Sequence, residues 1–452
     1  MKIPPPVREA AAILAQNGSE VYLVGGALRD SLRGKPAHDY DLAVSVDAAL
    51  IQDIFRPVHR AQVIPTGIKH GTVTLRYKGL SLEITTFRTE SDYSDGRHPD
   101  SVTKAASIEE DLSRRDFTMN AIALELPGGK RIVDPFGGRT DIKRRVIRAV
   151  GDARARFAED GLRPLRALRF AAQTGFTVDE AVLKAIPDAL DTTAKVSPER
   201  IRDELDKTVM AAAPLQALYY MEETGLLRLI LPELAACRGV EQKGRHAFDV
   251  LDHSFYALEY AAAKGCPLHV RLAALFHDIG KTPAAAQDPD GNWTFYMHER
   301  YSSEMAESLM RRLRYPNQLT EQVTHLVREH MFFYEDSWGD PAVRRFIIRA
   351  GEAALDDLFM LRLCDTYAIR RTLPDPANLA SFRRRIETVL EKSTALGLKN
   401  LAVNGNDLIA AGIAPGKRLG IILNGLLQAV IEDPALNTRE KLLTIALNMH
   451  AR

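Results

Sequence analysis

The chain has 452 residues, of which 46% are hydrophobic and 26% are charged, and this length predicts three or four globular domains rather than one core. The 60 basic and 59 acidic residues leave a net charge of +1, which excludes a uniformly basic nucleic-acid-binding surface and leaves only local patches. The chain has no apolar run of about 18 residues, and MKIPPPVREA lacks the apolar segment of a signal peptide, so we expect neither a transmembrane helix nor a secretory leader.

Strand and turn signals alternate over residues 20–86. The segment EVYLVGG predicts a short strand that ends in Gly25-Gly26, and ALRDSLRG predicts a helix directly after it. Further strands are predicted for DLAVS, GTVTLRY and SLEITTF. Backbone N–H groups at a strand–glycine–helix turn bind phosphate, and Arg29 adds a planar guanidinium. A simple turn without a ligand is the alternative for the glycine pair taken alone.

Asp39 and Asp41 stand two residues apart at the start of the apolar run LAV. Alternate residues of a strand point to one face and lie about 6–7 Å apart, a spacing at which two carboxylates hold Mg²⁺ ions. Without a cation the two charges repel each other, and a solvated strand start is the alternative explanation. Glu83, in SLEITTF, is a weaker candidate for a third carboxylate.

Beyond the strands the pattern changes twice. Residues 88–107 are polar and irregular, which predicts a long mobile loop. FTMNAIALEL and RIVDPF restore α/β character, and beyond Asp141 the pattern is helical with Pro and Gly between the helices. The sequence therefore predicts an α/β head of about 140 residues followed by a long all-α body.

One local basic patch stands out between Arg139 and Arg169. It holds ten basic and four acidic residues, a local charge of +6. Such a patch favours contact with nucleotide or nucleic acid, and a solvated helix face is the alternative.

Five ordered motifs carry a family resemblance. These are LVGGALRD followed by DYDL, LEITTFR, DLSRRDFTMNAIA, the long segment from IVDPFGG to AAQTGF, and SPERIRDELDK. Across residues 20–210 the sequence resembles the class II tRNA nucleotidyltransferases and bacterial poly(A) polymerases. The resemblance implies a polymerase-β-like nucleotidyltransferase head and addition of CCA to the 3′ end of tRNA from CTP and ATP, without a template and with release of pyrophosphate.

The resemblance also implies roles for individual residues. Asp39 and Asp41 match the Mg²⁺-binding catalytic pair, which activates the RNA 3′-hydroxyl. Asp160 and Arg163 match the pair that reads the edge of the incoming CTP or ATP base. The remaining matched positions contact the nucleotide, and they are Gly26, Arg29, Arg115, Arg166 and Arg169. An aspartate accepts from an amino group while arginine donates, so side chains imitate a template base.

The base-reading segment departs from the family wording. Gly161 and Pro164 replace the usual proline and apolar residue. Proline inside a helix costs about 3 kcal/mol unless it lies in the first turn, so we expect the helix to start later or to be kinked. If the segment were one helix, Asp160 would share a broad face with Arg163, Arg166 and Arg169.

A second set of residues lies in the helical region, in DVLDHS, LAALFHDIGK, YMHERYSSEMA, LVREHM and LRLCDTYA. It resembles the ligand set of HD-domain metal phosphohydrolases, namely His253, His277, Asp278 and Asp365. His298 and His330 are candidates to complete a binuclear site, and Lys281 is a candidate phosphate ligand. Imidazole with carboxylate suits Mn, Ni, Fe or Mg better than a thiolate-type zinc site. His246 and His325 are interpreted as structural, and a purely scaffolding role of the domain stays open.

The predicted domains are the head (1–145), a helical neck that recognises the base (146–240), the HD domain (241–370) and a helical tRNA-binding tail (371–452). The tail segment GNDLIAAGIAPGKRLG has a helix–Gly-Pro-Gly–helix pattern suited to RNA phosphate, with simple helix packing as the alternative. The three cysteines are scattered, which is typical of a reducing cytoplasm rather than of a disulfide framework. The expected partners are the tRNA 3′ end, CTP and ATP, with no membrane.

Three functions compete with CCA addition. An A-adding or poly(A) polymerase of the same superfamily shares the motifs, and one sequence does not separate them. An HD phosphohydrolase with an RNA-binding head is a rival of another class. A non-catalytic tRNA-binding protein is the third, against which the intact carboxylates argue. The loop at 88–107 is expected, from the resemblance, to become ordered during the switch from C to A addition.

Overall fold

The computed structural model describes residues 3–37, 39–68, 71–91, 101–242, 246–392 and 397–451. The chain divides into two compact units, Met1–Ala236 with Leu309–Tyr315, and Cys237–Ser308 with Pro316–Arg452. The finer division at residues 145, 240 and 370 stays a prediction. In the described ranges no helix is long and apolar enough to cross a membrane.

A seven-stranded mixed sheet lies at the centre of the N-terminal part. The elements here are α1 (Pro5–Gln16), β1 (Val21–Val24), α2 (Gly25–Leu32), β2 (Tyr40–Val44), α3 (Ala48–Phe55), β3 (Ala61–Gly67), β4 (Thr72–Tyr77), β5 (Leu80–Thr86), β6 (Arg88–Ser91), β7 (Ser101–Lys104), α4 (Ile108–Ser113), β8 (Ala123–Leu126), β9 (Ile132–Val133), α5 (Gly138–Arg144) and β10 (Val146–Ile147). The strand order is β3-β4-β5-β2-β1-β8-β9. β1 is antiparallel to β2 and β8, and β2 is parallel to β5.

The central strands explain the apolar runs of the sequence. All four residues of β1 are buried, because the strand has a neighbour on each side and contacts both α1 and α2. A strand covered in this way reads as continuous hydrophobic sequence rather than as an alternation. The strands predicted for EVYLVGG, DLAVS, GTVTLRY and SLEITTF are present as β1, β2, β4 and β5. The segment AQVIPTG, which forms β3, was not predicted as a strand.

The prediction of an irregular loop at residues 88–107 is wrong for both ends of this segment, which form β6 and β7. β6 pairs with β7 in antiparallel register, from Arg88 opposite Lys104 to Ser91 opposite Ser101. The Thr89 and Thr103 hydroxyls lie 2.7 Å apart across this pair. Cross-strand pairing of polar residues leaves no hydrophobic alternation, so the hairpin stem has no strand signal. Residues 92–100 lie outside the described part of the chain.

The rest of the first unit is almost entirely helical. Its elements are α6 (Ala153–Glu159), α7 (Arg163–Thr174), β11 (Thr177–Val178), α8 (Glu180–Ala185), α9 (Leu190–Ala194), α10 (Pro198–Val209), α11 (Leu215–Glu223), α12 (Leu226–Ile230) and α13 (Pro232–Ala235). The short strand β11 pairs in parallel with β10. Helix α7 follows α6 along the chain and packs against two further helices, α10 and α11.

The second unit confirms the predicted helical body. Its elements are α14 (Val250–Ala263), α15 (Leu268–Phe276), α16 (Lys281–Ala284), β12 (Ala286–Gln287), β13 (Trp293–Thr294), α17 (His298–Arg312), α18 (Asn317–Glu329), α19 (Asp340–Ala350), α20 (Leu355–Arg370), α21 (Ala377–Lys392), α22 (Gly405–Ala410), α23 (Lys417–Glu432) and α24 (Arg439–Ala451). The final turn of α17 belongs to the first unit. Helix α14 packs against α15 and α20, while α22, α23 and α24 share a small core in the tail.

Candidate active site

A cavity of about 740 Å³ opens in the first unit. It brings together every residue that the sequence assigned to the catalytic pair and the nucleotide, namely Gly26, Arg29, Asp39, Asp41, Arg115, Asp160, Arg163, Arg166 and Arg169. These residues come from four separate stretches of the chain, at 26–29, 39–41, 115 and 160–169. Their convergence places a phosphate-type turn, two carboxylates and an arginine cluster around one space.

The glycine turn is built for close approach to the carboxylate strand. Gly25 begins α2 with φ +71°, a conformation that glycine adopts without strain. A Cβ at this position would lie 2.8 Å from Asp41 Oδ2, so glycine is also required by space. Gly25, Gly26 and Ala27 line the cavity, and the N–H groups at this end of α2 therefore offer an anion site.

The acidic residues form one edge of the cavity. Asp41 lies in β2, directly opposite Glu83 of β5, and Asp39 is exposed just before β2 begins. Burial, together with the charges of Glu83 and Asp39, raises the pKa of Asp41 to about 6, although Arg115 acts in the opposite direction. An ionised carboxylate is thus unfavourable here without a cation. Oxygen ligands in this number fit Mg²⁺, and the donor set of the site is therefore compatible with a divalent metal.

The RRD motif supplies a paired arginine set. Asp111, almost fully buried, accepts from Nε and Nη2 of both Arg114 and Arg115. Burial would raise the pKa of Asp111, but Arg115 and Arg114 hold it below its usual value. Asp111 therefore fixes the direction of two guanidinium groups that line the cavity.

Asp116 fixes the direction of another arginine, Arg166, in the same way. Its Oδ2 accepts from Nε and Nη2 of Arg166 at 2.8 and 2.6 Å, and its Oδ1 accepts from the Asn120 amide at 3.1 Å. Against the effect of burial, Arg166 and Asn120 lower the pKa of Asp116 to about 2. The side-chain Oδ1 of Asn120 accepts in turn from Arg29 at 3.0 Å, so one network orients arginines from α2 and α7.

Phe170 is a central contact that the sequence did not indicate. The guanidinium groups of Arg29, Arg166 and Arg169 lie 5.1, 5.5 and 4.0 Å from the centre of its ring. Phe117 contacts the same ring edge-on. Cation–π contacts of this kind stabilise like charges that would otherwise repel one another. The only signal in the sequence was an aromatic residue inside a helix rich in arginine.

The base-reading segment is not one helix, which corrects the expectation of a shared helical face. α6 ends at Glu159, Asp160 caps it, and α7 begins at Arg163. Pro164 lies in the first turn of α7, where it replaces no hydrogen bond, so the prediction of a later helix start is confirmed. Gly161 is required because a Cβ there would clash with the backbone of Thr192.

The geometry of Arg163 leaves part of its guanidinium for a ligand. Nη1 donates to Arg156 O at 2.9 Å and to Glu159 at 2.5 Å, while Nη2 donates to Arg114 O at 3.0 Å. The side chain is buried and lines the cavity beside Asp160. These three bonds hold the guanidinium at one position.

The basic patch at residues 139–169 is largely neutralised within the protein. Arg148, Arg154, Arg156, Arg163, Arg166 and Arg169 each pair with a carboxylate. Three of its members, Arg163, Arg166 and Arg169, line the cavity. The local charge of +6 therefore overstates the charge available to a ligand, and contact with tRNA by the others stays a prediction.

A second cluster lies in the second unit, and it unites all six histidines and aspartates that the HD resemblance implied. His253 Nε2 lies 3.2 Å from His277 Nε2, 3.1 Å from Asp365 Oδ1 and 3.4 Å from Asp278 Oδ2. His298 Nε2 and His330 Nε2 lie 3.2 and 3.7 Å from Asp278 Oδ1. Two ligand triads result, His253–His277–Asp365 and His277–Asp278–His330.

The second cluster has the hydrogen-bond pattern of metal ligands. The Nδ1 atoms of His277, His298 and His330 contact the carbonyl oxygens of Ala274, Phe295 and Val327, which leaves each Nε2 directed at the cluster. Burial lowers the pKa of His330 to about 3 and keeps its ring neutral. Asp278 Oδ1 and His298 Nε2 are buried without a hydrogen bond. Facing lone pairs and orphaned atoms of this kind fit a bound divalent cation.

Three further residues around the second cluster were named from the sequence. Lys281 Nζ donates to Asp278 at 2.6 Å and to Gln242 at 2.5 Å, so its ammonium group lies beside the ligands. The His246 ring packs edge-on against that of His253, with 5.2 Å between the ring centres, and its structural role stays a prediction. His325 Nε2 contacts Ala350 O at 2.6 Å, which agrees with a structural role.

Three family models match the chain. A Poly A polymerase head domain matches residues 21–148, and the RNA and SrmB-binding site of polymerase A matches residues 175–238. A tRNA nucleotidyltransferase domain 2 matches residues 286–446. Together they cover the glycine turn and the carboxylate strands of the cavity and most of the helical body, but not residues 149–174, which include Asp160 and Arg163.

Curated relatives are CCA-adding enzymes. The chain is 35% identical to that of Latilactobacillus sakei over 450 residues, or 98% of each chain, and 34% identical to that of Lactobacillus helveticus over 93% of this chain and 91% of the relative. It is 46% identical to the enzyme of Geobacillus stearothermophilus over 279 residues, which are 61% of this chain and 64% of that one. The match to the Geobacillus thermodenitrificans enzyme covers 56% of that protein.

Solved structures share the fold. The Bacillus stearothermophilus CCA-adding enzyme in complex with CTP superimposes with a TM-score of 0.74 at 29% identity, over 99% of this chain and 98% of that one. The Thermotoga maritima CCA-adding enzyme complexed with tRNA superimposes with a TM-score of 0.57 at 21% identity, over 99% and 96%. At that identity the second match shows the fold alone.

Proposed function

The chain belongs to the family of CCA-adding enzymes, and on that premise we propose that it adds C, C and A to the 3′ end of tRNA from CTP and ATP. The observation that carries the proposal is the convergence of catalytic carboxylates, a phosphate-type turn and a base-reading pair on one cavity. No nucleic-acid template is needed, because Asp160 and Arg163 take the place of a template base. Pyrophosphate leaves as the 3′-hydroxyl attacks the α-phosphate.

Asp39 and Asp41, with Glu83 beside them, are the residues that would hold Mg²⁺. When bound there, Mg²⁺ would offset the negative charge that develops on the phosphate oxygens during the displacement. The raised pKa of Asp41 supports this assignment, since a cation removes the repulsion that raises it. We therefore assign the catalytic role to this pair, and a supporting role to Glu83.

The remaining residues bind and orient the nucleotide. The N-terminus of α2 and the cluster of Arg29, Arg166 and Arg169 take the triphosphate, whose orientation brings the α-phosphate to the carboxylates. The Asp160 carboxylate accepts from the exocyclic amino group that cytosine and adenine share. Arg163 donates to a ring nitrogen or carbonyl through the N–H groups that its bonds to Arg156, Glu159 and Arg114 leave over.

An A-adding or poly(A) polymerase is the nearest rival, and incorporation by the wild-type protein separates the two. Labelled CTP and ATP are supplied to a tRNA that lacks its CCA end, and products are resolved to one nucleotide. CCA addition requires two C residues before the terminal A. Incorporation of A without C, or a long A tail, would refute the proposal.

A second activity is proposed for the cluster of His253, His277, Asp278 and Asp365, completed by His298 and His330. We infer that it binds a divalent cation, with Mn, Ni, Fe or Mg as the candidates, and hydrolyses a phosphate ester. The burial of the ligands and their orphaned atoms support this inference. Lys281 lies where its ammonium group would contact a phosphate oxygen.

The second activity is tested on the full chain. The metal content is measured after purification, and hydrolysis of a phosphodiester is assayed with each candidate metal in turn. His253→Ala is expected to lose both the metal and hydrolysis while keeping CCA addition. If the protein binds metal but hydrolyses no phosphate ester, the proposed hydrolysis is refuted and the cluster has only a structural role.

The place of action is proposed to be the cytoplasm. All three cysteines are free and buried, which agrees with a reducing compartment. Binding of tRNA is expected to weaken as salt rises, because phosphate contacts release counterions.

A further inference from the structure

We propose that Arg200, in α10, is a positioning residue that sets nucleotide selectivity by holding the Asp160 carboxylate. The inference rests on the proposed function and extends it to a residue outside the cavity lining. Arg200 Nη2 lies 3.2 Å from Asp160 Oδ2 and 3.5 Å from Asp160 Oδ1. Neither the sequence motifs nor the lining of the cavity indicated a role for Arg200.

Asp160 needs a partner because helix geometry does not fix it. It lies between α6 and α7 with φ −139° and ψ 108°, in a connection of three residues. Its Oδ1 accepts from the backbone N–H of Leu162 at 3.0 Å, which orients that oxygen. The guanidinium of Arg200 restrains the second oxygen, so the plane of the carboxylate is set by two groups.

Helix α10 is suited to this task because it supports the site at two points. Arg200 and Glu204 are four residues apart and therefore share one face of the helix. Glu204, 3% exposed, pairs with Arg169 through a distance of 2.7 Å between Oε2 and Nε. One rigid helix thus holds both a base-reading acid and a nucleotide-site arginine.

Arg200 acts behind Asp160 rather than on the nucleotide. Among the described residues that line the cavity, Asp160 is present and Arg200 is not. The side chains of the pair are 19% and 29% exposed, respectively, which is partly desolvated and strengthens the interaction relative to a surface pair. Arg200 therefore controls the direction of an acceptor whose other side faces the base.

The chemical consequence concerns the edge of the base. Cytosine and adenine present an amino donor at the position where uracil and guanine present a carbonyl oxygen. A fixed, ionised carboxylate accepts from the first pair and repels the second. A carboxylate that is free to rotate loses part of the attraction and avoids part of the repulsion, so selectivity falls more than the rate of catalysis.

The test compares Arg200→Met and Arg200→Lys with Arg202→Met in the full-length protein. Arg202 lies on the same helix and pairs with Asp203, so it is a matched control outside the site. kcat and KM are measured separately for CTP, ATP, UTP and GTP on tRNA lacking its CCA end. Thermal unfolding of each variant is recorded alongside.

For Arg200→Met, the ratio of kcat/KM for CTP to that for UTP is expected to fall about tenfold to a hundredfold, the worth of a hydrogen bond to a charged group. Arg200→Lys keeps the charge without the planar fork and is expected to restore the ratio in part. Arg202→Met should leave it unchanged. In an Asp160→Asn background, Arg200→Met should produce no further fall.

Two results would overturn the proposal. An equal loss for all four nucleotides, with the ratio unchanged in both Arg200 variants, would show a merely structural role. A full fall of the ratio in the Asp160→Asn background would show that Arg200 acts elsewhere. Failure of the proposed function is seen separately, because the wild-type protein would then add neither C nor A, and the inference would fall with it.

Discussion

Replacing Asp41 with asparagine is expected to stabilise the metal-free protein at neutral pH, although it removes a catalytic group. Burial together with Glu83 and Asp39 raises the pKa of Asp41 to about 6, from an ordinary value of 3.8. The folded state therefore holds the proton to higher pH than the unfolded state does. Stability falls as the pH rises between the two pKa values, and the full penalty is present above pH 6.

The magnitude follows from the difference between the two pKa values. A difference of about two pH units corresponds to about 3 kcal/mol of unfolding free energy at pH 8. At pH 5 the penalty is about half as large, because the folded protein is then still mostly protonated at Asp41. Asparagine imitates the neutral acid, so Asp41→Asn should gain these amounts in the presence of a chelator.

Native-state hydrogen exchange is the suitable assay. Both tryptophans, Trp293 and Trp338, lie in the second unit, so their fluorescence does not report on the head. Exchange of the β2 and β5 amides, corrected for intrinsic rates, gives the free energy of opening for the sheet that carries Asp41. The control is Asp39→Asn, whose exposed side chain is expected to change stability less.

Magnesium should reverse the order of stability. A cation bound only by the folded wild-type protein adds about 2.7 kcal/mol at a hundredfold excess over its Kd, which nearly offsets the penalty, and about 4.1 kcal/mol at a thousandfold excess, which exceeds it, while Asp41→Asn gains little. If Asp41→Asn were no more stable than the wild type at pH 8 with chelator, its carboxylate would not be under electrostatic strain. A gain of the same size at pH 5 and pH 8 would equally refute the reasoning.

Three further predictions concern separate features. Phe170→Leu removes the ring that three arginines contact, and KM for CTP and ATP is expected to rise about tenfold in steady-state assays, with a smaller change in kcat. Gly161→Ala introduces a clash with the Thr192 backbone and should lower the Tm by several degrees, whereas Gly128→Ala, which meets no atom within 4 Å, should lower it less. Asp278→Asn should lose the metal of the second cluster, measured by elemental analysis, without lowering CCA addition; loss of both would contradict independent sites.

The residues proposed to be catalytic were accessible from the sequence because they lie in short, ordered segments. Gly-Gly at a strand end and two acids before an apolar run report their local structure directly. The arrangement of Asp41 opposite Glu83 follows from the pairing of β2 with β5, which the sequence suggested only as two strands. The histidines and aspartates of the second cluster were likewise recognisable by type and order.

The partners of these residues were not accessible in the same way. Asp116 pairs with Arg166 across 50 positions, and Asp160 with Arg200 across 40. No periodic spacing in the sequence relates such residues. A count of charges along the sequence therefore gave a local charge of +6, as if the arginines were unpaired. The hairpin stem of β6 and β7 was missed because polar cross-strand pairs leave no hydrophobic alternation.

The sequence by itself determined the chemical groups of this protein: two acids proposed to hold a metal, arginines proposed to bind phosphates, and imidazoles proposed to bind a second metal. Only the tertiary structure decided which arginines are free to meet a nucleotide and which helix holds Asp160. The physical reason is that a residue's identity fixes its charge and donors, whereas its available charge depends on neighbours that packing brings from distant segments. In this chain, the packing of α10 against α7 determines which neighbours these charged residues have.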